Sequence, residues 1–359
     1  MFHNTLMWHD RGTDANVVHM VECFDLLVIG GGAAGMRAAL DSARAGLKVA
    51  LVERENELGG RSRCFTRAVI RGPSPSERVI QLEKEVRKDS NVRLMLGHHV
   101  GHMSRDDELV TAIVSTEQGE MSEIEARAVI LATGMEPVDA KEIPEYGAGR
   151  LRGVVTSVEF DGMLTGWEST GRSGAANVAI VQCVGSRVEK RGVPYCSNYC
   201  CMNAVKESIR LKKLDPGIQV HVFYIDIRTS GRGQEAAYKE ARRLGVRFVR
   251  GQPALVRENG PKLLVCGENT LLNELYEIPA DIVVLNVGLR LSPETIRLAD
   301  HLGIPLDEEG LLFINEPCPG VAPVMAVGCA ESAKDVDSCL EQASNRANSV
   351  VWLLSQGKG

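Results

Sequence analysis

From Phe24 onward, short apolar runs alternate with longer amphipathic stretches. Leu26 to Ile29, Val49 to Glu53, Val92 to Leu96 and Ala128 to Ala132 are unbroken apolar runs or nearly so, which predicts buried strands. Ala34 to Ala45 and Ser76 to Lys88 repeat their apolar residues every three or four positions, which predicts helices. Leu109 to Ser115 reads as a further strand, so this part of the chain is expected to be a doubly wound sheet with a small antiparallel addition. A Gly-rich connection over 147–153 precedes a second cycle: strand Val178 to Gln182, helix Tyr199 to Lys213, strand Gln219 to Ile225, helix Gln234 to Leu244 and strand Ile282 to Val287. The last strand and helix, Val324 to Val327 and Ser338 to Leu354, have too little core of their own and are expected to return to the first unit. The reading is therefore α/β: a polar arm over 1–22, one unit from 23–150 plus 317–359, and a second inserted over 151–316.

Composition narrows the function. With 359 residues, 44% of them hydrophobic, the chain can bury a real core, and its 36 glycines follow no period, as suits many tight βα turns. The 47 acidic against 41 basic residues leave a net charge of −6, so there is no basic footprint for nucleic acid. No apolar run approaches the roughly 20 residues of a membrane span, and the first residues carry His and Asp in place of an apolar leader. A soluble, cytoplasmic protein is expected. Ten cysteines in such a chain, several of them clustered, point to metal or redox chemistry.

In Leu26-Leu27-Val28-Ile29-Gly30-Gly31-Gly32-Ala33-Ala34-Gly35, the glycines at 30, 32 and 35 form G-x-G-x-x-G directly after a strand and at the opening of a helix. One serves the tight turn, one the backbone approach to a pyrophosphate, and one the close packing of helix on strand. Glu53 ends the next strand 23 residues after Gly30, where a carboxylate accepts from ribose hydroxyls. These features together predict a bound dinucleotide.

Val129-Ile130-Leu131-Ala132-Thr133-Gly134 resembles the second flavin motif of the two-dinucleotide-binding-domain flavoproteins, and Val324-Met325-Ala326-Val327-Gly328-Cys329-Ala330 occupies the place of their third. Both favour FAD over NAD. In that superfamily the third motif ends in Gly-Asp; Cys329 replaces the Asp, which leaves backbone groups to contact the ribityl chain. Gly59-Gly60-Arg61 falls where the same superfamily approaches the flavin phosphates.

Cys183 ends the strand that opens the second unit, and Cys196, Cys200 and Cys201 follow 13, 17 and 18 residues later. In NAD(P)H-dependent relatives this strand runs into a second glycine fingerprint; here it runs into Gln182-Cys183-Val184-Gly185-Ser186-Arg187, so the nicotinamide phosphate site is missing. Thiolates suit zinc or an iron–sulfur cluster. Adjacent ligands such as Cys200 and Cys201 are awkward for structural zinc, whose cysteines come as spaced knuckles, and easier for a cubane with separated corners. The start of the following helix also turns backbone N–H groups toward an anionic cluster.

Cys183-Val184-Gly185-Ser186-Arg187 and Tyr195-Cys196-Ser197-Asn198-Tyr199-Cys200-Cys201-Met202, with Ala204 and Lys206, resemble the cluster motif of the flavin-containing A-type subunit of heterodisulfide reductase. Tyr224-Ile225-Asp226-Ile227-Arg228, Val246-Arg247-Phe248-Val249-Arg250-Gly251 and Gly328-Cys329-Ala330 with Lys334-Asp335-Val336 are similar to that family's segments too. The resemblance covers nearly everything from Asp25 to Val351. It implies a two-dinucleotide-binding-domain flavoprotein, with a doubly wound FAD domain and an inserted Rossmann-like domain carrying one [4Fe–4S] cluster on Cys183, Cys196, Cys200 and Cys201. It also implies FAD contacts from Gly30, Gly32, Ala33, Ala34, Gly35, Glu53, Arg54, Gly59, Gly60, Arg61, Val100, Ala132, Thr133, Gly134, Gly328, Cys329, Asp335 and Val336.

The methanogen form of the family carries additional cysteine-rich, ferredoxin-like inserts that this sequence lacks, so a relay of several clusters within the chain is not expected. The compact form looks like the A-type subunit of the heterodisulfide-reductase-like complex of sulfur-oxidising microbes. That likeness implies B- and C-type partner subunits, a lipoate-binding carrier protein and a homodimer. A similar short flavoprotein occurs in the quinone-interacting membrane-bound oxidoreductase complexes of sulfate reducers. Alternative readings are a self-sufficient NAD(P)H-dependent disulfide or quinone reductase and a flavoprotein scaffold with a structural zinc.

Lys206, five residues past Cys201, is expected to face the flavin and stabilise negative charge on its reduced ring. Cys64 has no second cysteine near it, and Cys23, Cys266, Cys318 and Cys339 have no partner spacing and read as packing. His98, His99 and His102 read as a solvated turn, and Asp226 with Arg228 as a structural salt link or subunit contact.

Overall fold

The computed structural model describes residues 21–65, 72–188, 191–314 and 321–356; Cys318 and positions 1–20 of the expected arm lie outside the described residues. Along the first part of the chain come β1 (Val21–Phe24), β2 (Leu26–Ile29), α1 (Ala33–Arg44), β3 (Val49–Glu53), α2 (Pro75–Val86), β4 (Val92–Leu96), β5 (His98–Arg105), β6 (Val110–Thr116), β7 (Met121–Ala126) and β8 (Val129–Leu131). The second part holds β9 (Glu136–Pro137), β10 (Val154–Thr156), α3 (Ser157–Thr170), β11 (Asn177–Val184), α4 (Cys200–Leu214), β12 (Gln219–Tyr224), α5 (Gln234–Arg243), β13 (Arg247–Arg250), β14 (Pro253–Asn259), β15 (Lys262–Asn269), β16 (Glu274–Ala280), β17 (Ile282–Val287) and β18 (Leu289–Arg290). Then follow α6 (Pro293–His301), β19 (Val324–Ala326) and α7 (Val336–Gln356).

Two five-stranded sheets organise these elements, in the orders β19-β8-β2-β3-β4 and β10-β17-β11-β12-β13, with every neighbouring pair parallel. Their central strands β2, β3, β11 and β17 are buried nearly throughout, because helices or a second sheet cover both faces; that is why they read as unbroken apolar runs. The C-terminal strand β19 completes the first sheet beside β8, and α7 packs on α1. Both sheets are Rossmann-like, with α-helices and smaller sheets as their outer layers. Among the described residues no helix is long and apolar enough to cross a membrane.

Four features differ from the sequence expectation or go beyond it. The small addition is a four-stranded sheet, β1-β7-β6-β5, in which β1 lies parallel to β7 from Val21 onward, so Val21 and Glu22 belong to a strand and not to the arm assigned to 1–22. The second unit carries its own antiparallel meander, β14-β15-β16. The two chain crossings between the units pair as β9 and β18, with Leu289 opposite Pro137 and Arg290 opposite Glu136. His98, His99 and His102 lie within strand β5 and not in a turn, with the His102 ring 4.6 Å from that of His301.

Candidate functional site: a dinucleotide cradle facing a four-cysteine loop

The cradle is built by backbone. Gly30 has a φ of +107°, and a Cβ there would lie 2.4 Å from the Ala132 carbonyl oxygen; a Cβ on Gly35 would lie 1.8 Å from the Gly30 carbonyl oxygen. These two glycines let β2, β8 and α1 approach as closely as they do. Gly32 is different. It is the N-cap of α1, and a Cβ there would meet nothing within 4 Å, so open space lies in front of the helix N-terminus where an anionic group would be held. Glu53, buried at the end of β3, accepts the Gly31 N–H at 2.6 Å and the Glu55 N–H at 2.9 Å, which fixes its carboxylate beside the cradle. Open space at Gly32, a helix end and a fixed carboxylate together fit a dinucleotide.

The other residues expected around a flavin are placed as follows. Ala33 and Ala34 form the buried first turn of α1, and a Cβ on Gly328 would press against the Ala34 Cβ at 2.7 Å, so the third motif closes directly on that turn. Gly59 and Gly60 are left-handed, and Gly59 bridges Gly32, which brings this turn against the cradle with Arg61 exposed beside it. Ala132 donates its N–H to the Ile29 carbonyl, the Thr133 hydroxyl accepts from Thr295, and Gly134 is left-handed beside open space. Arg54 is an exposed residue paired with Glu294 and Glu55. Val100 is buried in β5, Asp335 accepts the Ser338 N–H at the start of α7, and Val336 is half-buried.

The cysteine loop is where the backbone is least ordinary. Among the described residues four non-glycine positions have positive φ, and Cys183, Arg187 and Asn198 are three of them, at 57°, 60° and 57°. Such conformations cost energy and persist where the surroundings impose them. Here Gly185, also left-handed, is crowded by Gly192 and Gly288, at which a Cβ would lie 2.1 and 2.6 Å from its carbonyl oxygen. The Val193 N–H donates to Gly185, and the Arg187 N–H to Tyr195, folding the loop back on itself. Chain thus occupies the end of β11 where a nucleotide phosphate loop is otherwise found.

This fold brings together the four thiols expected to act as ligands. Burial pushes the Cys183 thiol up to about 11, with further contributions from Cys201 and Cys196; Cys200 is raised well above the ordinary value by burial and then by Cys183, Cys201 and Cys196. Cys201 is also raised, chiefly by burial. Cys183 and Cys200 are buried and Cys196 and Cys201 half-buried, and thiols raised as Cys183, Cys200 and Cys201 are need a cationic centre to become thiolates, which is the chemistry of a metal or metal-cluster site. The surroundings suit anionic sulfur: the Asn198 N–H points at Cys196 Sγ over 3.3 Å, and Cys200 begins the 15-residue helix α4, which has no acid in its first turn. Ser197 is fully buried beside Cys200, and its hydroxyl has no oxygen or nitrogen partner among the described residues. No three His, Cys, Asp or Glu side chains among the described residues are grouped to hold one metal ion. A cubane, whose ligands sit on separate corners, has no need of that grouping. Outside the loop lies a cleft of about 440 Å³, lined by Cys196, Asn198, Arg187, Arg228, Glu309 and Ala333 among others.

Asp226 forms the anticipated salt link, mainly with Arg187 at 2.6 Å and only distantly with Arg228 at 3.9 Å. Lys206 is 4% exposed; its Nζ pairs with Asp161 at 3.0 Å and lies 5.2 Å from the centre of the Phe65 ring, which follows the Gly59-Gly60-Arg61 turn. Tyr199, just before Cys200, also reaches this region, with its ring 6.4 Å from that of Phe65. The junction between the two units therefore carries a buried cation.

Sequence reasoning missed the polar network behind that cation. Asp161 on α3 accepts from both Lys206 and Arg210, Arg210 also holds Glu168, and Asn203 donates to Glu207 at 2.9 Å. Burial pushes the Glu207 carboxyl up to about 8. The available signal was the row Asn203, Lys206, Glu207, Arg210 along α4, whose spacing puts all four on one face. Cys339, read as packing, is buried in α7 with its Sγ 3.4 Å from where a Cβ of Gly328 would stand.

Residues 24–181 match the pyridine nucleotide-disulphide oxidoreductase family. The chain is 39% identical over 253 residues to the A-type subunit of the H(2)/formate:CoB-CoM heterodisulfide,ferredoxin reductase of Methanococcus maripaludis, covering 66% of this chain and 38% of that protein. It is 36% identical over 265 residues to the A-type iron-sulfur subunit of the CoB--CoM heterodisulfide reductase of Methanocaldococcus jannaschii, covering 69% and 40%. It thus spans about two fifths of the length of these curated relatives. Among solved structures, the thioredoxin reductase of T. acidophilum superposes with a TM-score of 0.63 at 20% identity, over 92% of this chain and 98% of that one. The Lactococcus lactis thioredoxin reductase does so with a TM-score of 0.62 at 20% identity, over 93% and 99%. These likenesses establish the fold.

Proposed function

The chain belongs to the family of A-type heterodisulfide reductase subunits, and from that premise we propose that it is an electron-transfer subunit holding FAD in the first unit and one [4Fe–4S] cluster in the second. FAD exchanges electrons in pairs and a [4Fe–4S] cluster singly, and this is the chemistry the two groups supply when bound. Gly32 and the α1 N-terminus hold the pyrophosphate, Glu53 accepts from the ribose, and Cys183, Cys196, Cys200 and Cys201 ligate the cluster. Lys206, held in place by Asp161, faces the junction where the flavin ring would lie and would favour negative charge there. The chain works within a cytoplasmic complex with B- and C-type subunits in sulfur metabolism, exchanges electrons with a lipoate-bearing carrier protein, and pairs as a homodimer.

The observation that carries this reading is that, in place of a phosphate loop, Cys183, Cys196, Cys200 and Cys201 gather between the end of β11 and the start of α4. The test is an anaerobic visible spectrum with EPR after dithionite reduction, on wild type and Cys200→Ala. A broad shoulder near roughly 400–420 nm beneath flavin bands and a reduced-cluster signal, both lost in the variant, support the cluster. One zinc per chain without acid-labile sulfide overturns it, and rapid bleaching of the flavin by NADH or NADPH overturns the dependence on partner subunits.

A further inference from the structure

Two serines of the four-cysteine loop, Ser186 and Ser197, are 0% exposed, and neither hydroxyl has an oxygen or nitrogen partner among the described residues. Ser42 and Ser208 are also buried and unpartnered, but they lie inside α1 and α4, where the carbonyl four residues back is at hand. Ser186 and Ser197 have no helix behind them. Both are pinned by the loop's own backbone. The Ser186 N–H donates to the Cys183 carbonyl at 3.2 Å, closing a turn on that cysteine, and Ser186 bridges Val193. Its Cβ lies 3.1 Å from where a Cβ of Gly288 would stand, so the side chain is packed against the end of β17. Ser197 stands between Cys196 and Cys200, next to Asn198, whose N–H points at Cys196 Sγ over 3.3 Å. It precedes α4 by three residues and leaves that helix without a side-chain cap. A buried hydroxyl that donates to nothing costs about 1–3 kcal/mol, so two of them in one loop call for an acceptor beyond the oxygens and nitrogens of the chain.

We propose that the Ser186 and Ser197 hydroxyls donate hydrogen bonds to the anionic sulfur of the cluster ligated by Cys183, Cys196, Cys200 and Cys201, and so set its reduction potential upward. The proposal rests on the cluster reading above. Sulfur becomes more negative when the cluster takes up an electron, so a fixed donor stabilises the reduced form more than the oxidised one. Burial strengthens the effect, because no water competes for either hydroxyl. The two serines reach the site from opposite ends of the loop, Ser186 behind Cys183 and Ser197 ahead of Cys200, so their contributions are separable. Both are tuning residues: they touch neither flavin nor substrate, and they hold no ligand position.

The test is an EPR-monitored redox titration of the full chain, purified anaerobically, with iron and acid-labile sulfide measured on the same samples. Wild type is compared with Ser186→Ala, Ser197→Ala, the double variant and Ser208→Ala, whose hydroxyl is equally buried but lies two turns along α4 from Cys201. Each loop variant is expected to titrate lower, by up to about 59 mV, which is a tenfold change in a one-electron equilibrium. The double variant is expected lower still, and Ser208→Ala unchanged. Cluster-loaded loop variants with the wild-type potential overturn the proposal, as does an equal shift in Ser208→Ala. Urea midpoints before cluster assembly keep the question open to decision where a variant takes up no iron. Each loop variant then lacks an unpaired hydroxyl and is expected to match or exceed wild type, and a lower midpoint in both would make the hydroxyls structural and overturn the proposal. Wild type that assembles no cluster overturns the cluster reading and this proposal with it, whereas loaded wild type with unmoved variants overturns this proposal alone.

Discussion

Glu53 and Gly31, 22 residues apart, are joined by a 2.6 Å hydrogen bond from the glycine N–H to the carboxylate, and this bond ties the end of β3 to the glycine turn. With the Glu55 N–H bound to the second oxygen, the carboxylate serves the protein with both of its oxygens and still has lone pairs for a ribose. Glu53→Gln turns an NH₂ group toward one of those N–H donors. Hydrogen bonds to charged groups contribute about 1.5–3 kcal/mol, so FAD affinity is expected to fall roughly tenfold to a hundredfold. Flavin fluorescence titration of the apoprotein measures it; unchanged affinity would remove Glu53 from the nucleotide site.

The glycines of the turn divide into two kinds. Gly35→Ala drives a Cβ into the Gly30 carbonyl, where only backbone could yield, and should cost about 3 kcal/mol of stability. Gly32→Ala meets empty space at a φ of −72° and should leave stability unchanged or raise it by up to about 1 kcal/mol, while crowding the pyrophosphate and lowering flavin content. Urea midpoints and flavin stoichiometry on both variants separate the effects. Equal losses of stability would contradict the division.

Much of this was legible because it is local. The glycine turn, its flanking strand and helix, and the crowded cysteines are contiguous patterns, and strands buried on both faces announce themselves as apolar runs. The meander β14-β15-β16 does not, since its strands carry exposed charged residues and β16 exposes Leu275. Helix α3 hides for another reason: Gly162 and Gly166 interrupt its pattern, and its buried face includes Asp161. The packing of Cys339 against Gly328 depends on how a turn docks against a helix, which no fixed spacing encodes. Asp161 acquires its meaning only from two cations on a neighbouring helix.

That shared carboxylate is a point of weakness. Asp161 is 1% exposed and accepts from Lys206 at 3.0 Å and Arg210 at 2.6 Å. Asp161→Asn leaves Lys206 buried without its counterion, and breaking such a pair costs about 3–5 kcal/mol. Adding Lys206→Met removes the stranded charge and should recover part of the loss. Urea unfolding of the single and double variants tests this; a double variant no more stable than Asp161→Asn would mean the lysine is not the stranded group.

Glu207 should make stability depend on pH in the direction opposite to a salt-bridged acid. Burial raises its carboxyl to about 8, and the ion pairs of Asp161 and Glu168 with Lys206 and Arg210 already balance the local charge. The folded chain therefore keeps this proton up to about pH 8, while the unfolded chain releases it near the ordinary glutamate value of about 4.3. Between those limits the folded state binds more protons, so the contribution is complete below the unfolded value and is lost as pH rises through the folded one. The slope approaches about 1.4 kcal/mol per pH unit for one group. Glu207→Gln keeps the shape and the hydrogen bond with Asn203 but cannot ionise, so its stability should decline less steeply than that of wild type from pH 5 to 8 and exceed it above pH 8. Urea denaturation of both proteins at pH 5.5, 7 and 8.5 measures the difference, and parallel profiles would show that Glu207 ionises normally in the folded protein.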